Sequence, residues 1–263
     1  TLRMLLKTYR GEEFTRSLGL SGSRAPATLT KHLQAWQRDG RLYAVKRGVF
    51  VRLGRGQKPG MISVDPLALA SRLAPDAALA YHTALEALGH AQSAFERVFF
   101  VTWSKTRAMR FQGRQYVPVR PRAKLIRAKE AFLVRLERAG LEVRVTSLER
   151  TVVDVLDRPD LAGGMEEVWR SLESVEALDF DVLAQYASLV ARPLLTARLG
   201  YLLETHAHRW FTPPRLLAKL ESKRPRGPVY LERRRSGRLV RRWNLIVPPD
   251  MPPSEKTTDG TVP

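Results

Sequence analysis

Three carboxylates, Asp154, Asp157 and Asp160, stand three residues apart, and two imidazoles, His206 and His208, stand two apart. These residue types hold divalent metals for nuclease and hydrolase chemistry. Their spacing argues against that use. Asp154 and Asp157 fall on a helical stretch that Pro159 closes, and no acidic residue followed by a catalytic-type lysine lies on a strand-like segment. His206 and His208 cannot share one helical face, and neither an HExxH pattern nor any cysteine accompanies them. No GxxxxGK[ST], GxGxxG or GxSxG segment occurs, and "GRGQKPG" at 54–60 fits none of these. A non-enzymatic protein is therefore expected, with no catalytic residues, no metal and no cofactor.

The residues with chemistry left to explain are basic. The chain has 263 residues, a formal charge of +19 and no cysteine, which excludes disulfides and thiolate sites together. The charge is unevenly spread. Residues 1–60 carry 13 Lys and Arg against 3 Asp and Glu, 151–222 reverse the sign at 7 against 11, and the chain from 223 returns to 10 against 4. Concentrated basicity is the footprint of a polyanion-binding surface. No stretch approaches the roughly 18 apolar residues of a membrane span, and "TLRMLLKTYRGEEF" lacks a signal-peptide apolar run, so a cytoplasmic protein without membrane contact is expected.

The elements that would position the basic residues can be read in order. "LRMLLKTYR" and "GEEFTRSLGL" are helical patterns, the second ending at Gly19, and "SGSRAPATLTKHLQAWQRDG" is a third, with Leu29, Leu33 and Trp36 at helical spacing. "RLYAVKRGVFVRL" then reads as a β-hairpin about a Lys-Arg-Gly turn. Three helices and a hairpin make the order of a winged helix-turn-helix, whose third helix enters the major groove while the hairpin meets phosphates. With Leu29, Leu33 and Trp36 inward, Arg24, Thr28 and Lys31, together with Ser23, are candidates for base contact. Lys46, Arg47 and Arg52 suit phosphates.

The division expected is a winged helix over 1–56, a Gly- and Pro-rich linker at 57–64, a larger mixed α/β domain over 65–250 and a disordered tail at 251–263, an α+β protein overall. In the larger domain "RVFFVTW" and "RQYVPVRP" read as strands around a basic loop containing Arg107 and Arg110. In "VTSLERTVVDVLDRPDLAGGMEEVWRSL", Thr146 and Glu149 form a capping-box pattern, Pro159 stops one helix, and Gly163 and Gly164 turn into the next. "PVYLERRRSGRLVRRWNLIVPP" reads as a hairpin about Ser236 and Gly237. Its Arg233, Arg234, Arg235, Arg238, Arg241 and Arg242 form a basic middle that could grip phosphate.

Taken in register, "RDGRLYAVKRGVFVR", "DPLALASRLAPDAALAYHTALEALG", "VTSLERTVVDVLDRPDLAGGMEEVWRSL", "RLGYLLE" and "PVYLERRRSGRLVRRWNLIVP" resemble the AbiEi family, antitoxins of the AbiE abortive-infection toxin–antitoxin systems, also described as regulators of viral and phage defence. The resemblance implies an N-terminal winged helix with a larger α/β domain, and a protein that represses its own operon by binding inverted repeats in the promoter. It also implies neutralisation of a cognate nucleotidyltransferase toxin in the type IV manner, without a stable complex. A monomer in solution is expected, with a second copy on the other repeat able to make DNA binding cooperative. On this sequence the DNA role falls on the 23–31 helix start and the 46–52 wing. Two alternatives remain open: an antitoxin that masks its toxin directly through the acidic 151–222 surface, and, less favoured, a winged helix fused to a metal-dependent nuclease.

Overall fold

The structure is a computed structural model that describes residues 8–10, 25–128, 130–232 and 236–251. It is an α+β protein. Two compact units form, each assembled from three separate stretches of chain. The first comprises Thr1–Leu79, Phe95–Arg120 and Val134–Val145, and the second Ala80–Ala94, Pro121–Leu133 and Thr146–Pro263. The 57–64 stretch lies within the first unit. Its Ile62 and Val64 are buried, and the Gln112 amide binds the backbone of both, accepting from Val64 N–H at 3.1 Å and donating to the Ile62 carbonyl.

The first unit begins with β1 (Thr8–Arg10), α1 (Ala25–Arg38), β2 (Leu42–Lys46) and β3 (Val49–Arg52). β3 is central, antiparallel to both β1 and β2, and for that reason Val49, Phe50 and Val51 are all buried rather than alternating. Thr8–Arg10, read from sequence as the end of a helix, is this edge strand; pairing with β3 outweighs the local helical spacing. The helix pattern over 11–20 lies outside the described residues. α2 (Pro66–Ala70) is capped by Asp65, whose carboxylate accepts from Leu67 and Ala68 N–H, and it packs on β4 (Ala78–Leu79) and β5 (Arg97–Val101). With β6 (Met109–Phe111), β7 (Arg114–Val119), β8 (Leu133–Arg138) and β9 (Leu141–Thr146) these strands make a mixed sheet in the order β6-β7-β5-β4-β9-β8. β5 runs parallel to β7 and antiparallel to β4. The expected strands 97–103 and 114–121 are therefore sheet neighbours, with the basic loop and β6 between them in sequence.

Asp76 fixes the start of that loop, accepting from the Thr102 hydroxyl at 2.5 Å and from Trp103 N–H at 2.7 Å. Burial pushes its carboxyl up, but the hydrogen bonds from Thr102, Ser104 and Trp103 outweigh it, and the net displacement is below the ordinary value of 3.8. A carboxylate with a depressed folded pKa contributes stability that is complete above its unfolded value and is lost as pH falls through the folded one. Asp76→Asn is thus expected to flatten the acid side of the stability curve. Urea unfolding of both proteins between pH 5 and 2 measures this, and parallel curves would contradict it.

The second unit holds α3 (His82–Leu88), α4 (Leu148–Asp157), α5 (Met165–Leu172), α6 (Phe180–Val190), α7 (Pro193–Thr205), α8 (Ala207–Trp210) and α9 (Pro214–Glu221), with a small sheet of β10 (Val229–Tyr230), β11 (Arg238–Val240) and β12 (Leu245–Val247). α4 is buried from Arg150 to Leu156 and packs against α3, α5, α6 and α7. Its cap sits one residue later than the sequence suggests. The Ser147 hydroxyl accepts from Arg150 N–H, the Thr146 hydroxyl pairs with Thr151 at 2.7 Å, and Glu149 instead accepts from Asp179 N–H. Gly163 and Gly164 take φ of 86° and 101°, a turn open to glycine alone at little cost, and α5 then buries Met165, Val168, Trp169 and Leu172 as their spacing predicts. The expected hairpin about Ser236 and Gly237 is not formed. β10 pairs parallel with β12, and the antiparallel partner of β12 is β11, turned around Arg241–Trp243 and Asn244. Trp243 is fully buried at that turn, and burying it there draws β12 between the other two strands.

Candidate nucleic-acid interface

α1 packs on the β2–β3 hairpin. Leu33 and Trp36 pack on Leu42 and Phe50, while Lys31, two residues before Leu33 and so on the far side of the helix, is exposed. Gly40, at φ 65°, ends the helix, and Arg41 N–H donates to the Trp36 carbonyl at 2.8 Å, which delivers the chain into β2. The hairpin closes over Arg47 and Gly48, the glycine at φ 79°. Arg47 and Arg52 are exposed. Lys46 is half-buried and its ammonium donates to the Leu73 carbonyl at 3.2 Å, so this tip residue points at least one donor inward.

The basic loop joins the same unit. Tyr43 of β2 lies against Phe111 of β6, ring centroids 6.1 Å apart, and the Gln112 amide straps the β6–β7 turn to Ile62 and Val64. Arg107 and Arg110 are exposed there. Arg238 belongs to the second unit, is half-buried and donates to the Tyr201 hydroxyl at 3.3 Å. Ser23, Arg24, Arg234 and Arg235 lie outside the described residues, as does the side chain of Thr28.

Sequence spacing missed several further cations. Arg38, Arg41, Arg55, Lys58, Lys105 and Arg120 are exposed in the first unit. Neither they nor Lys31, Arg47, Arg52, Arg107 and Arg110 make a side-chain hydrogen bond or ion pair with a described residue. Their only signal in the sequence is the charge count. Among described residues the first unit, from 25 onward, has 18 Lys and Arg against 6 Asp and Glu, and the second has 17 against 16. In the second unit arginine is largely committed to structure. Arg122 and Arg192 both pair with Asp157, Arg242 bridges Glu204 and Glu221, and buried Arg198 donates to the Leu156 and Leu231 carbonyls. Unpaired surface cations gain little from one another in water, but opposite a polyanion each displaces a condensed counterion.

The three carboxylates and one of the two imidazoles weighed for metal chemistry are engaged elsewhere. Asp154 accepts from Arg150 and from the Tyr186 hydroxyl, Asp157 from Arg122 and Arg192, and Asp160 faces Arg158 at 3.8 Å. His206 is buried, stacks on Trp210 at 4.4 Å between centroids, and donates from Nδ1 to the Leu202 carbonyl at 3.0 Å. Among the described residues no three His, Asp or Glu side chains group as metal ligands, and no helix is long and apolar enough to cross a membrane.

This fold has a solved counterpart. The chain is similar to the RV2827C protein from Mycobacterium tuberculosis, seen in a crystal structure, with a TM-score of 0.56 over 91% of this chain and 86% of that one. At 16% identity the likeness is one of fold alone. No family model and no curated protein matches the sequence.

Proposed function

We propose that the protein is a DNA-binding antitoxin of the type IV AbiE kind, which represses its own operon at promoter inverted repeats and neutralises a cognate nucleotidyltransferase toxin. The observation that carries the DNA part is the charge imbalance of the unit that bears α1 and the β2–β3 hairpin, 18 Lys and Arg against 6 Asp and Glu, with most of its exposed cations making no ion pair with a described residue. The element order β1, α1, β2, β3, with the strands arranged β1-β3-β2, supports reading residues 1–56 as a winged helix-turn-helix with α1 as the recognition helix. Lys31 would meet base edges, Arg47 and Arg52 the flanking phosphates, and Arg107 and Arg110 phosphate further along. The antitoxin part rests on the family resemblance; the pairing of Asp154 with Arg150 and Tyr186, and of Asp157 with Arg122 and Arg192, is what makes it preferred here to a nuclease.

Fluorescence anisotropy on the protein's own upstream DNA and on a scrambled duplex, each titrated with salt, tests the proposal. Upstream DNA is expected to bind about a thousandfold tighter at every salt concentration. The double substitution Arg47→Ala, Arg52→Ala should make the slope of log affinity on log salt shallower by about 1.8, at about 0.9 for each phosphate no longer neutralised, and Lys31→Ala should narrow the difference between the two duplexes. Equal affinity of the parent protein for both duplexes would remove the repressor reading, an unchanged slope would remove Arg47 and Arg52 from it, and an unchanged difference would remove Lys31. Growth rescue on co-expression with a nucleotidyltransferase encoded beside it tests the antitoxin half.

A further inference from the structure

α1 contains no Asp or Glu over its whole length. A helix face that meets only water ordinarily mixes the two signs and pairs them at four-residue spacing, so the exposed side of α1 is unusual in having cations with no such partner. Helical geometry sorts its polar side chains at about 100° per residue. Leu33 and Trp36 mark the side that packs on β2 and β3. Lys31, Gln34 and Arg38, all exposed, fall within about 60° of one another on the opposite side. Gln37 instead lies beside Leu33, and the His32 ring is turned to Trp36, with centroids 6.0 Å apart. Of the two glutamines of α1, only Gln34 shares the far side with Lys31. Its amide makes no hydrogen bond with a described residue. Asp39, the nearest carboxylate in sequence, continues the helical ladder through its N–H to the Ala35 carbonyl, which carries it about 80° or more round from all three.

We infer that Gln34 is a further base-reading residue of α1, recognising adenine at the base pair next to one that Lys31 reads as guanine. The inference rests on the DNA-binding reading above and adds to it part of the target sequence. A primary amide presents a donor and an acceptor side by side, matching N6 and N7 of adenine in the major groove, and a lysine ammonium meets O6 and N7 of guanine. Three residues advance about 4.5 Å along a helix, close to the roughly 3.4 Å between base pairs, so side chains at this spacing reach adjacent pairs. Arg38, about 10 Å beyond Lys31, is left for a phosphate. Each half-site therefore carries a G·C pair beside an A·T pair.

The test is selection by the full-length protein from a pool of duplexes with a randomised central segment, followed by sequencing of the bound DNA. The parent, Gln34→Ala, Gln34→Glu and Lys31→Ala are compared. The parent is expected to select a motif with adjacent G·C and A·T pairs. Gln34→Ala should lose about tenfold in preference at the A·T pair and keep the rest of the motif, and Lys31→Ala should lose its preference at the neighbouring G·C pair. Gln34→Glu should exchange adenine for cytosine, whose N4 amino group donates to a carboxylate. A parent motif that survives Gln34→Ala, that weakens evenly at every position, or in which the pairs lost with Gln34 and with Lys31 are not neighbours would overturn the inference and leave the DNA-binding reading standing. A parent that selects no motif would overturn both.

Discussion

Replacing Asp154 with Ala is expected to destabilise the protein by about 3–5 kcal/mol, the penalty for leaving one member of a buried ion pair behind. Asp154 and Arg150 are both buried on α4, 3.3 Å apart, and the second carboxylate oxygen of Asp154 accepts from the Tyr186 hydroxyl at 2.8 Å. Burial holds the carboxyl above its ordinary value, opposed by the Arg150 guanidinium and by the Tyr186 hydrogen bond. Without Asp154 the guanidinium stays over the Tyr186 ring, 5.3 Å from its centroid, with no counter-charge. The double variant Arg150→Met, Asp154→Leu removes both charges and should be markedly less destabilised than the single one. Urea unfolding of the three proteins decides it. A loss below about 1 kcal/mol for Asp154→Ala would mean that Arg150 reaches water, contrary to its 4% exposure.

Gly200→Ala is expected to cost about 3 kcal/mol, at the upper end for overpacking a core. A β-carbon at position 200 of α7 would overlap the Trp243 ring. That ring cannot easily retreat, because Trp243 is fully buried and its Nε1–H donates to Glu204 at 2.7 Å, a carboxylate that Arg242 also holds at 2.5 Å. Trp243→Leu in the same chain should recover part of the loss by vacating the space. The melting temperatures of the single and double variants give the answer, and a Gly200→Ala protein as stable as the parent would mean that the helix can shift away from β12.

What was legible in the sequence was local. The β2–β3 turn at Gly48, the stop at Pro159, the Gly163–Gly164 turn and the apolar spacing of α5 each depend on residues within about one or two turns of one another, and each is found where the sequence puts it. The capping of α4 shows how narrow that margin is. Thr146 and Ser147 are both competent hydroxyl caps, and the choice fell to Ser147 because Thr146 ends a buried strand, where its hydroxyl meets Thr151.

The sequence by itself determined how much basic charge the protein carries and which short segments become helices, turns and strands, since composition and hydrophobic period are properties of the chain. Only the tertiary structure decided which of those cations are left for a ligand. Arg47 and Arg242 are the same residue in similarly basic surroundings, yet one is solvated and the other is pinned by Glu204, 38 positions earlier in the chain. Arg122 likewise meets Asp157 across 35 residues, and β10 lies parallel to β12 rather than folding back on its sequence neighbour. Partners so distant are selected by how buried surfaces fit together, and no local pattern of residues carries that information.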